Sequence, residues 1–174
     1  MNSLAAQNLS VKQNLTSPFM TWVFNEEGKT EIMSCAVPGN VHRDLVLNKK
    51  IADPLIGTNE TNVQWVSEKS WEYTLNDFVC EPNILLQDKI ELRLNGIDTY
   101  SKIFLNDIFL GETNNAFVQF DFDVKGILLP KGNKLRIVFS PAEAYAKQKL
   151  AERILPLPGD SIRAACRKPQ YHFG

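Results

Sequence analysis

The dominant rhythm along the chain is a period of two. Trp71, Tyr73 and Leu75 alternate with Glu72, Thr74 and Asn76, and Ile90, Leu92 and Leu94 alternate with Glu91, Arg93 and Asn95. Val118, Phe120 and Phe122 are interleaved with Gln119, Asp121 and Asp123, and Leu135, Ile137 and Phe139 with Lys134 and Arg136. Successive side chains of an extended backbone point to opposite faces, so each run is a predicted strand with one face buried and one wet. Residues 101–105 and 108–110 form a further pair across Asn106-Asp107, a predicted two-residue hairpin turn. Asp at the second turn position tolerates positive φ less well than Gly does.

Pro38-Gly39, Asn95-Gly96, Pro130-Lys131-Gly132-Asn133 and Pro158-Gly159 punctuate these runs. Strands at short spacing, each with one apolar face, add up to a two-sheet sandwich or barrel. Helix is scarce. Asn40 is a predicted N-cap for residues 41–48, with Asp44 in the first turn, where the helix dipole favours a carboxylate. Residues 142–154 are rich in good helix formers and are closed by Pro156 and Pro158. The expected architecture is one all-β, antiparallel domain with one or two short helices.

Composition narrows the function classes. A chain of 174 residues with 44% hydrophobic positions can bury roughly 70% of its unfolded surface without disulfides or metals as staples. Nineteen Lys and Arg against 20 Asp and Glu leave no positive excess to neutralise phosphates, so nucleic acid is not an expected partner. No apolar run approaches the ~20 residues of a membrane span, and no membrane partner is expected. Cys35, Cys80 and Cys166 lack C-x-x-C spacing, so reduced thiols are expected rather than a disulfide framework or a zinc site. Residues 1–8 have no basic start and no apolar centre, although Ser3-Leu4-Ala5-Ala6-Gln7 looks like the small-residue end of a cleavage region. The compartment therefore stays open between periplasmic or secreted and cytoplasmic.

Conventional catalytic patterns are missing from the sequence. His42 and His172 are its only histidines, no serine sits in a nucleophile elbow, and there is no glycine-rich phosphate loop. Neither metal nor cofactor is expected. What stands out is aromatic and amide chemistry bunched together. Asn59-Glu60-Thr61-Asn62-Val63-Gln64-Trp65 combines amides, a carboxylate and an indole, and Gln170-Tyr171-His172-Phe173-Gly174 repeats the mixture. Sugars are held by such groups, since an aromatic face stacks on the C–H face of the ring while amides satisfy hydroxyls. Trp65, Asn59, Gln64, Tyr171 and His172 are thus the candidate substrate-binding residues. Trp71, on an alternating strand, is expected in the core, and Trp65 stands open between core and sugar platform.

At this point a resemblance becomes visible. Ala36-Val37-Pro38-Gly39-Asn40-Val41-His42-Arg43-Asp44-Leu45 resembles the VPG-x-VH-x-DL segment of the β-mannosidases of glycoside hydrolase family 2. Ile51-Ala52-Asp53-Pro54-Leu55-Ile56-Gly57-Thr58-Asn59-Glu60, Gln64-Trp65-Val66 and Trp71-Glu72-Tyr73 follow in the family's order. Next come Asn95-Gly96-Ile97-Asp98-Thr99, Leu105-Asn106-Asp107-Ile108-Phe109-Leu110-Gly111 and Phe120-Asp121-Phe122-Asp123-Val124, with Arg167-Lys168-Pro169-Gln170-Tyr171-His172-Phe173-Gly174 closing the series. Asp107 departs from the Gly usual in the family's hairpin turn.

The resemblance implies a jelly-roll β-sandwich, similar to galactose-binding domains, over residues 19–174, with 1–18 an N-terminal extension expected to be disordered. It implies a non-catalytic role beside immunoglobulin-like domains and a (β/α)8 barrel that carries both catalytic glutamates of a retaining β-mannosidase. Family members continue Tyr-His-Phe-Gly with Trp-Asp-Trp-Gly-Pro, a loop reaching the mannose subsite, so the chain is expected to be cut before that loop and inactive alone. The expected partners are those domains and mannose-containing oligosaccharides. An autonomous carbohydrate-binding module, or the same domain of a β-galactosidase or β-glucuronidase, is the alternative.

Overall fold

The computed structural model describes residues 10–152. In chain order its elements are β1 (Trp22–Glu26), β2 (Met33–Ser34), α1 (Val41–Leu47), α2 (Asn59–Asn62), a 3₁₀ turn (Gln64–Glu68) and β3 (Trp71–Phe78). There follow α3 (Pro82–Leu85), β4 (Glu91–Leu94), β5 (Ser101–Leu105), β6 (Ile108–Thr113), β7 (Phe120–Asp123), β8 (Asn133–Phe139) and α4 (Ala142–Ala151). Six strands form one sheet in the order β2-β1-β3-β8-β5-β6, and β4 pairs with β7 in a second. Every pairing is antiparallel.

The period-two runs become the walls of the core. Across the large sheet, Tyr73 faces Ile137 and Leu75 faces Leu135, while Ile103 and Leu105 occupy the same rows on the other side of β8. These side chains are buried together with Trp22, Phe24 and Ile90, and Leu92, Leu94 and Phe122 of the small sheet close over them. Gly111 lets the layers approach, because a Cβ there would stand 2.7 Å from the Phe122 ring. The expected sandwich is thus present. Two of its strands, β1 and β2, carry no long alternation and were not predicted; β1 is placed by its pairing with β3 from Trp22–Leu75 to Glu26–Trp71. Val118, predicted within a strand, lies before β7 and is exposed.

Turn chemistry matches the sequence closely. Asn106 and Asp107 both take positive φ, 52° and 61°, the conformation a two-residue hairpin of right-twisted strands demands. The Asn106 side chain fixes the turn by donating to the Ile127 carbonyl and to Asn133 Oδ1 at 3.0 Å, and by accepting from the Lys134 amide. Asn40 caps α1, its Oδ1 accepting from the Arg43 amide at 3.0 Å. Beside α1 and α4, the single-turn α2 and α3 complete the helices of the described residues. Gln13 and Leu15, inside the stretch expected to be an extension, hydrogen-bond to Val79, Glu81 and Trp22.

Candidate functional site

The segment rich in amides and indole folds as a run of linked turns between α1 and β3. Asp53 starts it: its Oδ1 accepts from the Leu55 amide, and its carbonyl accepts from the Ile56 amide and from Asn59 Nδ2 at 2.9 Å. Gln64 Nε2 donates to the Glu60 carbonyl at 2.8 Å, and Ser67 Oγ donates to the Gln64 carbonyl. Val63 and Val66 face inward and are buried, so this polar stretch is pinned to the sandwich by its two valines.

Trp65 and Trp71 part ways here. Trp71 is in the core, with its indole N–H donating to the Val66 carbonyl at 2.9 Å. Trp65 is 38% exposed, and its ring lies 6.2 Å from that of Trp71. Behind Trp71, Phe24 stands at 5.8 Å and Tyr73 at 5.3 Å from Phe24. A column of aromatic rings therefore runs from the surface turn into the core. Asn59, Gln64 and Trp65 thus sit on one segment, with the amide nitrogens of Asn59 and Gln64 already bound to backbone carbonyls. Tyr171 and His172 lie outside the described residues.

The column ends at a buried carboxylate. Asp44 is fully buried and accepts from the Tyr73 hydroxyl at 2.9 Å and from the Ala36 amide at 3.3 Å. Burial raises its pKa, opposed first by the Tyr73 bond and then by the Ala36 amide and Arg43. Burial likewise raises Tyr73, and the Asp44 charge adds to it. The neighbouring Cys35 thiol is pushed up to about 12 by burial and then by Asp44. Shut away from solvent, this carboxylate is placed to hold structure rather than to meet a substrate. The sequence signals only half of this contact: a tyrosine on the core-facing positions of β3 needs a partner for its hydroxyl, but nothing local to it names Asp44.

The Pro-Gly block is explained by the same cluster. A Cβ on Gly39 would come within 2.2 Å of the Ala36 carbonyl oxygen, so the loop from Ala36 to Asn40 closes only around glycine. That closure, the Asn40 cap and the Asp44 clamp dock α1 on the large sheet. Cys35 and Cys80 carry free thiols. Among the described residues, no group of His, Cys, Asp and Glu is arranged to hold a metal ion, and no helix is long and apolar enough to cross a membrane.

Fold and turn series together define a β-sandwich domain of the galactose-binding type. Residues 22–174 match the glycosyl hydrolase 2 galactose-binding domain-like family, and the chain belongs to that family. It is 35% identical over 143 residues to beta-mannosidase B of Aspergillus terreus, covering 79% of this chain and 17% of that one. To beta-mannosidase B of Emericella nidulans it is 33% identical over 162 residues, 88% of this chain and 19% of the relative. The crystal structure of beta-D-mannosidase from Dictyoglomus thermophilum superposes with a TM-score of 0.80 at 35% identity, over 88% of this chain and 19% of that one. The Amycolatopsis orientalis exo-chitosanase CsxA shares the fold at a TM-score of 0.61 and 17% identity, over 72% of this chain and 16% of that one. The chain therefore spans less than a fifth of the length of these relatives.

Proposed function

We propose that this chain is the non-catalytic N-terminal domain of a retaining β-mannosidase, an enzyme that removes terminal β-D-mannosides from the non-reducing end. Hydrolysis falls to a (β/α)8 barrel elsewhere in the polypeptide, and residues 19–174 form the sandwich that helps to wall its active site, with Tyr171 and His172 supporting the loop that follows. Pocket-type sugar sites need polar groups converging from several directions, and a neighbouring domain can supply one wall above the βα loops of a barrel.

The observation that carries this reading is the 35% identity to β-mannosidases over most of the chain. The test is an assay with 4-nitrophenyl β-D-mannoside. The 174-residue chain is expected to give no release above blank, and the complete polypeptide of its reading frame to give release with retained configuration. Turnover by the chain alone overturns the proposal, and a complete polypeptide active only on a β-galactoside or β-glucuronide moves it to another family 2 activity.

A further inference from the structure

β1 accompanies β3 only as far as the Trp22–Leu75 pair, yet the backbone runs on past the end of β3 at Phe78. The Cys80 amide there donates to the Pro130 carbonyl at 3.1 Å, on the side of the chain leading into β8. The residues flanking Cys80 are both met by one side chain. Gln13 Nε2 donates to the Val79 carbonyl at 2.7 Å, and Gln13 Oε1 accepts from the Glu81 amide at 3.0 Å. A carboxamide carries both a donor and an acceptor, so it can stand in for the peptide group of a neighbouring strand.

The stretch that presents Gln13 is itself anchored. Asn14 Oδ1 accepts from the Thr16 amide at 2.9 Å, and the Leu15 carbonyl accepts from the indole N–H of the buried Trp22 at 2.9 Å. Leu15 and Met20 pack against the core, and the Met20 amide donates to the Ser17 carbonyl. All of this precedes residue 22, where the match to the family begins.

We infer that residues 13–20 are a strap that latches one end of the sandwich, with the Gln13 amide as its catch. A strand edge left unpaired is free to fray or to pair with another chain. Gln13 closes that edge by holding the residues on both sides of the buried Cys80. When the catch lets go, residues 79–81 open locally and uncover the Cys80 thiol, while the rest of the sandwich stays folded.

Native-state labelling with N-ethylmaleimide, read by peptide mass so that each cysteine is followed separately, tests the latch. Cys80 is expected to label at a rate nearly independent of urea below the unfolding transition, because releasing the strap exposes little surface. Gln13→Ala should raise that rate roughly tenfold, since each lost intramolecular hydrogen bond is worth a factor of about 2–10. Gln13→Glu turns a carboxylate oxygen toward the Val79 carbonyl and should label at least as fast, whereas Lys12→Ala, one position away, should match the parent chain. Cys80 labelling whose urea dependence equals that of global unfolding overturns the latch. So does a parental rate in either Gln13 variant, or an equal gain in Lys12→Ala.

Discussion

The Tyr73 hydroxyl donates to Asp44 Oδ2 at 2.9 Å, joining the centre of the large sheet to the first turn of α1 with both side chains buried. Among the described residues no lysine or arginine completes an ion pair with Asp44. The carboxylate is held by a hydroxyl and an amide, and each of those donors depends on it in turn.

Asp44→Ala is therefore expected to destabilise the chain by about 3 kcal/mol, because a buried donor left without an acceptor costs ~1–3 kcal/mol and two are orphaned here. Tyr73→Phe removes only one donor and should cost less. Urea unfolding of both variants reads this directly. An Asp44→Ala midpoint equal to that of the parent chain would show that the clamp carries no stability.

The same pair sets a pH dependence. The folded pKa of Asp44 lies above its ordinary value near 3.8, so the folded state holds this proton more tightly than the unfolded one does. Its contribution is then fully present below the unfolded pKa and is lost as pH rises through the folded value. Asp44→Asn cannot titrate. The stability difference between parent and Asp44→Asn, followed from pH 3 upward, should shift against the parent as pH rises through the folded pKa and then level off. A difference that is flat in pH, or of opposite slope, contradicts the raised pKa.

How much of this was legible beforehand depended on whether the determining contact was local. The hairpin at Asn106-Asp107, the Asn40 cap and the alternating strands were readable, because each is decided by a residue's own conformational preference or by period-two burial. β1 was not, since it is recruited by pairing with β3 rather than by its own pattern. The Asp44–Tyr73 contact was not either, since its partners lie 29 positions apart. At the candidate site, sequence placed Asn59, Gln64 and Trp65 on one segment, but could not show that the two amide nitrogens are spent on backbone carbonyls.

Two glycines should respond very differently to the same methyl group. At Gly39 the new Cβ meets the Ala36 carbonyl oxygen at 2.2 Å, and backbone cannot swing aside. At Gly111 it meets the edge of the Phe122 ring at 2.7 Å with φ at +156°, and a ring has some freedom to turn. Gly39→Ala is expected to cost on the order of 3 kcal/mol or more, and Gly111→Ala about 1–3 kcal/mol. Adding Phe122→Leu should recover part of the second loss and none of the first. Thermal unfolding of the two single and two double variants decides it, and equal losses at both glycines would contradict the geometry.

Asn133 is fully buried and saturated with hydrogen bonds. Its Nδ2 donates to the carbonyls of Phe78 and Leu129, at 3.1 and 2.6 Å, and its Oδ1 accepts from the Leu129 amide and from Asn106 Nδ2. Asn133→Asp keeps the acceptors but turns a carboxylate toward two carbonyl oxygens, so it is expected to be worse than Asn133→Ala. The alanine variant should lose about 2–3 kcal/mol from the groups left unpaired. Denaturant midpoints order the two, and an aspartate variant as stable as the parent would refute the assignment of the amide.

Trp65 and Trp71 give a test that separates folding from recognition. Trp71 fills the core and donates to the Val66 carbonyl, so Trp71→Ala should cost about 3–5 kcal/mol. Trp65 rests one side on Trp71 and leaves 38% of its surface open, so its replacement by alanine should cost roughly 1 kcal/mol, in proportion to the smaller apolar area it buries. A scaffold domain whose sugar wall is built together with other domains should show no saturable heat when mannose or manno-oligosaccharides are titrated to millimolar concentration. Saturable binding that Trp65→Ala abolishes while the unfolding temperature stays nearly constant would instead make the chain a carbohydrate-binding module in its own right. An exposed ring tilted against a buried one can serve either purpose, and only a ligand present or absent over that ring distinguishes them.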